Sequence, residues 1–314
     1  METDSKGNIY VLDPLNFRVQ VFTSKGVYLK TLGRRGQGPG EFEVPFYITI
    51  DSMDNIYIFD MQRKSWAVFT SGGKFLKNIR ANKNIFRVEK ICIDSNHNII
   101  CGYVLSDGNF DIYKISRFDK DFNFLEDLYE KKGVLSLIRL KGGISILPIQ
   151  YTPEVIWTMD NDGIIYVSFN KTYEIEVLSG KGEFINKISR EYQPEKITQE
   201  EKNEIIGRLS KRFSKDIVNQ IEFPKVKPPI SHLYLVDNYI YVQKKILKEE
   251  NKHLFDVFEK SGRYIEEISL DFQPMINKNN YIYTIKLDFE LLTADVVRYK
   301  IEKSLDFPKN QIPK

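Results

Sequence analysis

Short segments of apolar residues recur along this chain, each directly after a turn rich in Asn, Asp or Gly. These turn residues tolerate the positive φ angles of tight hairpins, so each segment predicts a β-strand that leaves a hairpin. The segments begin at Ile9-Tyr10, Ile56-Tyr57, Ile99-Ile100, Ile165-Tyr166, Ile240-Tyr241 and Ile282-Tyr283. Alternation of apolar and polar residues over 9–12 and 19–22 indicates two strands of an antiparallel meander.

In each unit a further apolar residue, which we call the anchor, follows the pair listed above. The residues after the anchor are regularly spaced. A Gly comes four positions later in most units, as Gly26 does after Phe22. Apolar residues stand seven positions after the anchor (Leu29, Leu76, Leu125, Ile185, Ile265) and ten positions after it (Leu32, Ile79, Leu128, Ile188, Ile268). Four short strands in units of roughly 40–45 residues are typical of β-propellers. We therefore predict an all-β, six-bladed β-propeller of four-stranded antiparallel blades, forming one domain over residues 1–314.

Two intervals between units are long, and each predicts an insertion. The first contains Gly142 and precedes Trp157. The second, at about residues 195–222 between blades four and five, predicts a helix. Thr198 and Glu201 match a capping box, and apolar residues recur at every fourth position: Ile205, Leu209, Phe213 and Ile217.

Residues 4 to 80 resemble the NHL repeat. The segment from Gly7 reads G-N-I-Y-V-L-D-P-L-N-F-R-V-Q-V-F, and a later one from Gly33 reads G-R-R-G-Q-G-P-G-E-F. NHL repeats run G-N-I-Y-V-x-D-x-x-N-x-R-I-Q-V-F and join through a similar glycine-rich loop. The resemblance implies a six-bladed propeller of the kind common in bacterial cell envelopes. Such propellers mostly bind proteins, glycans, small ligands or RNA, and a minority are metal-dependent lyases or lactonases.

The beginning of the chain departs from this repeat. No strand-like segment precedes Gly7, so the first blade is predicted to lack its inner strand. Either residues 304–307 help to close the ring, or an N-terminal piece has been lost; we favour the loss. Met1–Asp4 lacks the basic and apolar regions of a signal peptide. The resemblance implies the cell envelope or periplasm if a leader was part of the lost piece.

Charge and hydropathy narrow the choice of partners. The chain has 46 basic and 43 acidic residues, a net charge of +3. So small an excess does not favour nucleic acid or an anionic membrane as the main partner. No run approaches the ~18 apolar residues of a membrane span. We expect a monomer without a transmembrane segment that binds a protein, peptide or glycan.

The glycine-rich loop of residues 33–42 is the most distinctive candidate site. Its glycines and two arginines could form an anion site. The alternative, which we favour, is an ordinary connection between blades whose glycines satisfy turn geometry. Residues in loops or near the starts of inner strands are the candidates for ligand contact: Arg34, Arg35, Tyr47, Arg87 and Trp157.

The two cysteines, Cys92 and Cys101, lie on either side of a predicted hairpin turn. If Asn96-His97 is a two-residue loop, the cysteines face each other across two strands. A disulfide between them is then one hypothesis for an oxidising compartment. The other is a pair of buried free thiols.

The sequence favours a binding scaffold over an enzyme. Only three histidines are present, and no catalytic triad, phosphate-binding loop or zinc-protease motif is found, so we assign no catalytic residue, metal ligand or cofactor. Asp160–Gly163 is interpreted as a hairpin turn rather than a calcium loop. A calcium site in the central channel could take its acidic ligands from distant blades. A metal-dependent, lactonase-like hydrolase or lyase with its site in the channel is therefore the alternative.

Overall fold

The computed structural model describes residues 1–80, 85, 87–106, 110–134, 137–140, 143–146, 150–211, 213–219, 221–247, 252–278, 281–288 and 293–300. These residues form a six-bladed β-propeller, with a small hairpin and two short helices inserted between blades. The architecture predicted from the repeats is confirmed.

The first half of the chain contains three blades and the hairpin. Blade one consists of β1 (Glu2–Thr3), β2 (Ile9–Asp13), β3 (Arg18–Phe22) and β4 (Tyr28–Leu32). Blade two consists of β5 (Pro45–Ile50), β6 (Ile56–Asp60), β7 (Ser65–Phe69) and β8 (Phe75–Arg80). Blade three consists of β9 (Arg87–Ile93), β10 (Ile99–Ser106), β11 (Asp111–Phe118) and β12 (Phe124–Lys132). The hairpin pairs β13 (Leu137–Leu140) with β14 (Gly143–Ile146).

The second half contains the helices and the other three blades. Blade four consists of β15 (Val155–Met159), β16 (Ile165–Phe169), β17 (Glu174–Leu178) and β18 (Phe184–Ser189). Helices α1 (Gln199–Ser210) and α2 (Lys215–Val218) follow. Blade five consists of β19 (His232–Val236), β20 (Tyr239–Leu247), β21 (Lys252–Glu259) and β22 (Tyr264–Leu270). The described strands of blade six are β23 (Ile276–Lys278), β24 (Tyr281–Asp288) and β25 (Thr293–Lys300).

Strand direction divides the ring into two ends. Successive strands of each blade pair antiparallel from the inner to the outer strand, and residues of the inner strands line the central channel. All inner strands therefore begin at the same end of the ring. That end, which we call the insertion face, also carries the connections between blades, the hairpin and both helices. The opposite end, which we call the turn face, carries tight turns such as residues 51–55.

Apolar packing between neighbouring sheets forms the core. Along β6, Ile58 packs in the cluster shared with blade one, whereas Phe59 packs in the cluster shared with blade three. Blade two therefore buries both of its faces, and similar clusters join blades three to four, four to five and five to six. This explains why β6 and β7 are buried along their whole length and read as almost continuous apolar segments.

The repeated Asp and Asn residues have a structural role on the turn face. The Asp51 carboxylate accepts hydrogen bonds from the backbone N–H groups of Met53 and Asn55, from the Asn55 side chain at 2.9 Å and from the Tyr57 hydroxyl at 3.2 Å. Asp4, Asp94 and Asp160 accept similar bonds in their own turns. Asp160–Gly163 is therefore a hairpin turn, as predicted.

The helical insertion lies between blades four and five, but it is not one continuous helix. Thr198 and Glu201 form the predicted capping box at the start of α1. The helix ends at Ser210, and α2 is a separate turn of four residues, so the fourfold apolar spacing overstated the helix length. Ser210 and Ser214 lie at the break, and serine competes for backbone hydrogen bonds inside helices.

The first blade corrects another prediction, because it does have an inner strand. Strand β1 is only two residues long, and Glu2 and Thr3 pair with Tyr10 and Ile9. Two residues are too few for apolar alternation to be visible in a sequence.

The pairing of β9 with β10 shows that the disulfide hypothesis is wrong. Cys92 lies opposite Ile100, and Cys101 lies opposite Ile91, one residue away from the predicted register. Side chains alternate along a strand, so this shift sends the two thiols to opposite faces of the blade. Cys101 packs towards blade two and Cys92 towards blade four, and both are free.

We expect both thiols to stay reduced in protein made in an oxidising host without reductant. Alkylation after denaturation should add two alkyl groups per chain, because Cys92 and Cys101 face different clusters. Intact mass spectrometry measures this directly. A mass two hydrogens lower, with no alkylation, would contradict the observed register.

Lys227 connects the start of α1 to the segment that precedes β19, and this contact predicts a pH-dependent stability. Its amino group lies 2.7 Å from Glu201 and also pairs with Glu195. The Lys227 ammonium is the largest cause that lowers the pKa of Glu201 to about 2. A lowered folded-state pKa stabilises the protein above the carboxyl's ordinary pKa, and this contribution is lost as the pH falls towards 2.

Lys227→Met should therefore lower the melting temperature by about 2–4 °C at neutral pH, for a loss of about 1 kcal/mol. The difference from wild type should shrink as the pH falls from 5 towards 2. Lys225→Met is the matched control, because Lys225 is exposed and close in sequence. A loss of equal size in both variants, or a loss independent of pH, would show that the ion pair does not stabilise the fold.

Candidate functional site

The central channel is a cavity of about 2050 Å³ with residues from every blade in its wall. The inner strands supply most of this wall, as Thr49 and Thr158 illustrate. A propeller leaves such a space because the inner edges of its sheets converge on an axis without meeting. The channel is therefore the place where side chains distant in sequence come together.

Three ionisable side chains line the channel where it opens on the insertion face, and two others lie near them outside the channel wall. We call Tyr47, Arg87, Glu89, Tyr113 and Glu154 the mouth cluster. Tyr47 and Glu89 belong to inner strands of adjacent blades, and Glu154 directly precedes the inner strand of blade four. Arg87 donates from Nε and from a terminal nitrogen to Glu89 Oε1, at 3.0 and 2.6 Å. A β-bulge in β9 lies at Glu89, and bulges re-aim side chains next to binding sites.

Desolvation dominates the electrostatics of the mouth cluster. Burial raises the pKa of Glu89 to about 7, even though Arg87 opposes the rise, and the charges of Glu154 and Asp111 add to it. Burial likewise raises the pKa of Glu154, although this side chain remains accessible to water from the channel. The pKa values of both tyrosines are raised by burial and by the neighbouring carboxylates.

Three groups of the mouth cluster make no hydrogen bond to any residue that the structure describes: the Tyr47 hydroxyl, the Tyr113 hydroxyl and the Glu154 carboxyl. Tyr113 is only 2% exposed. Its ring is held by close packing against Gly133, where an added Cβ would lie 2.6 Å from the ring. Tyr113 does not line the channel, so of these three groups only the Tyr47 hydroxyl and the Glu154 carboxyl belong to residues of the channel wall.

A second polar network lines the channel at blade five. The Tyr234 hydroxyl donates to Gln243 Oε1 at 3.2 Å, and Gln243 Nε2 lies 2.9 Å from His253 Nδ1. Gln243 then acts as the donor, which leaves the proton of neutral His253 on Nε2. Burial, with the charges of Lys90 and His253, lowers the pKa of His232 to about 4. Both histidines are therefore neutral at pH 7.

The five residues predicted from the sequence as ligand contacts fall into two groups. Tyr47 and Trp157 line the channel, and Arg87 belongs to the mouth cluster. Trp157 is only 4% exposed and packs against Gly102, so it contributes wall rather than contact surface. Arg34 and Arg35 lie on the insertion face outside the channel lining. Arg34 pairs with Glu41 at 2.7 Å, and Arg35 lies 5.2 Å from the Phe17 ring centroid.

The glycine-rich loop satisfies its own polar groups. Glu41 accepts a hydrogen bond from the Gly38 N–H at 2.8 Å, and Arg63 donates to the Gly36 carbonyl at 2.7 Å. Phe42 is fully buried against Gly33, whose φ of +75° and contact with the ring exclude a side chain. These contacts favour the connection between blades over an anion site.

Sequence reasoning missed Glu89, Tyr113 and Glu154. The only local signal was the Arg87-x-Glu89 pattern at the start of an inner strand. Among the described residues, no group of three or more His, Cys, Asp or Glu side chains is placed to hold a metal ion. No helix in the described part of the chain is long and apolar enough to cross a membrane.

Several solved structures are similar to this chain at low sequence identity. A Bacteroides fragilis NCTC 9343 protein matches with a TM-score of 0.54 and 13% identity, over 91% of this chain and 77% of that one. A protein of unknown function from Bacteroides caccae matches with a TM-score of 0.49 and 11% identity, over 94% and 90%. Virginiamycin B lyase from Staphylococcus aureus matches with a TM-score of 0.43 and 14% identity, over 96% and 84%.

No curated protein matches the sequence. A family model does: residues 3–162 match DUF5128, described as a 6-bladed beta-propeller. This match covers just over half of the chain and agrees with the six blades seen in the structure. The chain therefore belongs to the DUF5128 family of six-bladed β-propellers.

Proposed function

We propose that this propeller is a non-enzymatic binding scaffold whose protein, peptide or glycan ligand docks on the insertion face and reaches into the channel mouth. The observation that carries the proposal is the mouth cluster. Tyr47, Glu89 and Glu154 of this cluster line a cavity of about 2050 Å³. Polar groups that converge on a preformed cavity are typical of ligand sites.

The surroundings of the mouth support this choice of face. Several large apolar side chains are about half exposed or more on the insertion face: Leu15, Phe46, Met61, Phe110, Val134 and Met275. The hairpin and both helices widen the same face. Exposed apolar side chains around a polar pocket are typical of interaction surfaces.

The sequence resemblance supports an interaction role as well. Residues 4 to 80 are similar to NHL repeats, and NHL propellers mostly bind other molecules through their faces. We propose the same use here, with the mouth cluster rather than the arginine loop as the main contact. The paired state of Arg34 supports this order.

One observation favours a second candidate, a hydrolase or lyase that acts in the same mouth. Glu89, with a pKa raised to about 7, could exchange protons near neutral pH beside a second carboxyl, Glu154. Such an enzyme would show turnover of a lactone or glycan substrate with a pH optimum near 7. Glu89→Gln should abolish that turnover while leaving the fold intact.

The binding proposal predicts a face-specific loss of partner. Tagged wild-type protein and a Glu154→Arg variant would be used to recover partners from a cell-envelope extract, with mass spectrometry of both eluates. We expect Glu154→Arg to lose the partner, because a bulky cation would fill the mouth beside Arg87.

Two further variants locate the contact. Glu191→Arg makes the same charge change at an exposed residue after blade four, and it should retain the partner. Arg34→Ala/Arg35→Ala should also retain it, because Arg34 is already paired with Glu41. A partner lost only by the arginine variant would move the site to the loop. If no variant differs from wild type, the mouth is not the binding site.

A further inference from the structure

We propose that the central channel holds a site for an oxyanion, a carboxylate or phosphate group of a ligand, between Lys90 of blade three and His232 and His253 of blade five. All three side chains belong to residues of the channel wall. The site rests on the proposed binding function, because a ligand docked at the mouth would place this group inside the channel.

Lys90 brings a positive charge to the channel wall and makes no ion pair with any described residue. Its ammonium donates to the Trp157 carbonyl and to the Thr158 hydroxyl, both at 3.2 Å, and lies 5.6 Å from the centroid of the Trp157 ring. These acceptors are neutral, and they use two of the three N–H donors of an ammonium. They hold the side chain against blade four and leave one donor and an uncompensated charge for a ligand.

A directional chain of hydrogen bonds fixes the donor of His253. Gln273 Nε2 donates to the Tyr234 hydroxyl at 3.0 Å, and this hydroxyl donates to Gln243 Oε1 at 3.2 Å. The Gln243 amide nitrogen then donates to His253 Nδ1 at 2.9 Å, so neutral His253 keeps its proton on Nε2. That N–H group has no partner among the described residues. The chain therefore uses its acceptors internally and leaves an N–H donor on an anchored ring.

His232 adds a second imidazole to the same part of the wall. Its ring stacks on Tyr234, with centroids 5.9 Å apart and planes inclined by 20°, and the side chain is exposed to the channel. Neither ring nitrogen bonds to a described residue. Burial inside the ring of blades, with the charges of Lys90 and His253, lowers the pKa of His232 to about 4. A bound negative charge would oppose this effect, because it favours the imidazolium.

These groups favour an oxyanion over a cation or a neutral ligand. The ammonium of Lys90 repels a cation, and neither it nor the His253 Nε2–H group can accept a hydrogen bond. A neutral amide would leave the Lys90 charge uncompensated. The oxygens of a carboxylate or phosphate accept hydrogen bonds from all three side chains, and such charge-assisted bonds are the stronger ones.

Binding of the oxyanion should take up protons below neutral pH. His232 is neutral at pH 7, and the bound negative charge raises its pKa above about 4. Between these two pKa values the complex holds more protons than the free protein, so affinity should increase as the pH falls from 7 to 5.5. The groups that face His232 are Lys90, His253 and Tyr234. Burial raises the pKa of Tyr234 to about 12, so its hydroxyl does not titrate in this range.

Matched probe pairs test the inference by NMR titration of the full chain at constant ionic strength. The first pair is an end-blocked alanine tripeptide with a central glutamate and the same peptide with a central glutamine. The second pair is the methyl glycoside of galacturonic acid and its amide. Inorganic phosphate alone is the fifth probe. Because the chain has only three histidines, the imidazole signals give the pKa of His232 directly.

We expect the acid of at least one pair to bind about tenfold or more tightly than its amide at pH 5.5, and more weakly at pH 7. The pKa of His232 should rise on binding. The pair that shows the difference identifies the source as a peptide or a sugar acid, and binding of inorganic phosphate without either acid identifies a phosphate group.

Three variants locate the site. Lys90→Met should remove the preference for the acid, and His232→Gln should remove most of its pH dependence. Lys25→Met removes the same charge from an exposed turn outside the channel wall, and it should keep both. The acid–amide comparison and the pKa of His232 are measured on the wild type and do not depend on the folding of any variant.

The failures are distinguishable. Equal binding of acid and amide in both pairs, with no binding of phosphate, overturns the oxyanion inference and leaves the binding scaffold standing. A preference that survives in Lys90→Met, or a bound acid that leaves the pKa of His232 unchanged, overturns the assignment of the site. If none of the probes binds, the oxyanion inference fails, and partner recovery with Glu154→Arg decides the scaffold separately.

Discussion

Packing between neighbouring blades is the constraint on which the rest of this structure depends. Apolar clusters join each pair of consecutive blades from one to six, and Ile58 and Phe59 of blade two belong to two different clusters. A sheet of this kind cannot leave either face in water, so it needs a neighbour on each side. A ring meets that requirement for every blade. The geometry of the ring then produces the channel and brings the starts of all inner strands to one end.

The channel mouth holds charged groups of a kind that the apolar core excludes. Packing and apolar burial favour neutral groups, yet two carboxyls and an arginine share the space beside Tyr47 and Tyr113. Burial is the largest cause that raises the pKa of Glu89. The carboxylates on the turn face behave differently, because Asp51 and its counterparts accept several hydrogen bonds within their turns.

Part of the proposed site was visible in the sequence. Tyr47 and Arg87 were chosen because they lie near the starts of inner strands, and both belong to the mouth cluster. Arg34 and Arg35 were chosen from the same reasoning about loops, but Arg34 already pairs with Glu41 and Arg35 already packs over the Phe17 ring. A glycine-rich loop looks alike in a sequence whether its polar groups bind a ligand or each other.

The sequence by itself determined the repeat, the number of blades, the hairpin turns and the capped start of the helix. Those features depend on residues close together in the chain, whose spacing and backbone preferences are readable directly. Only the tertiary structure decided the register that separates Cys92 from Cys101 and the meeting of Glu89 with Glu154. Both depend on pairing and packing between distant segments. When the pairing of two strands shifts by one residue, every side chain moves to the opposite face of the sheet. No local sequence pattern determines that register.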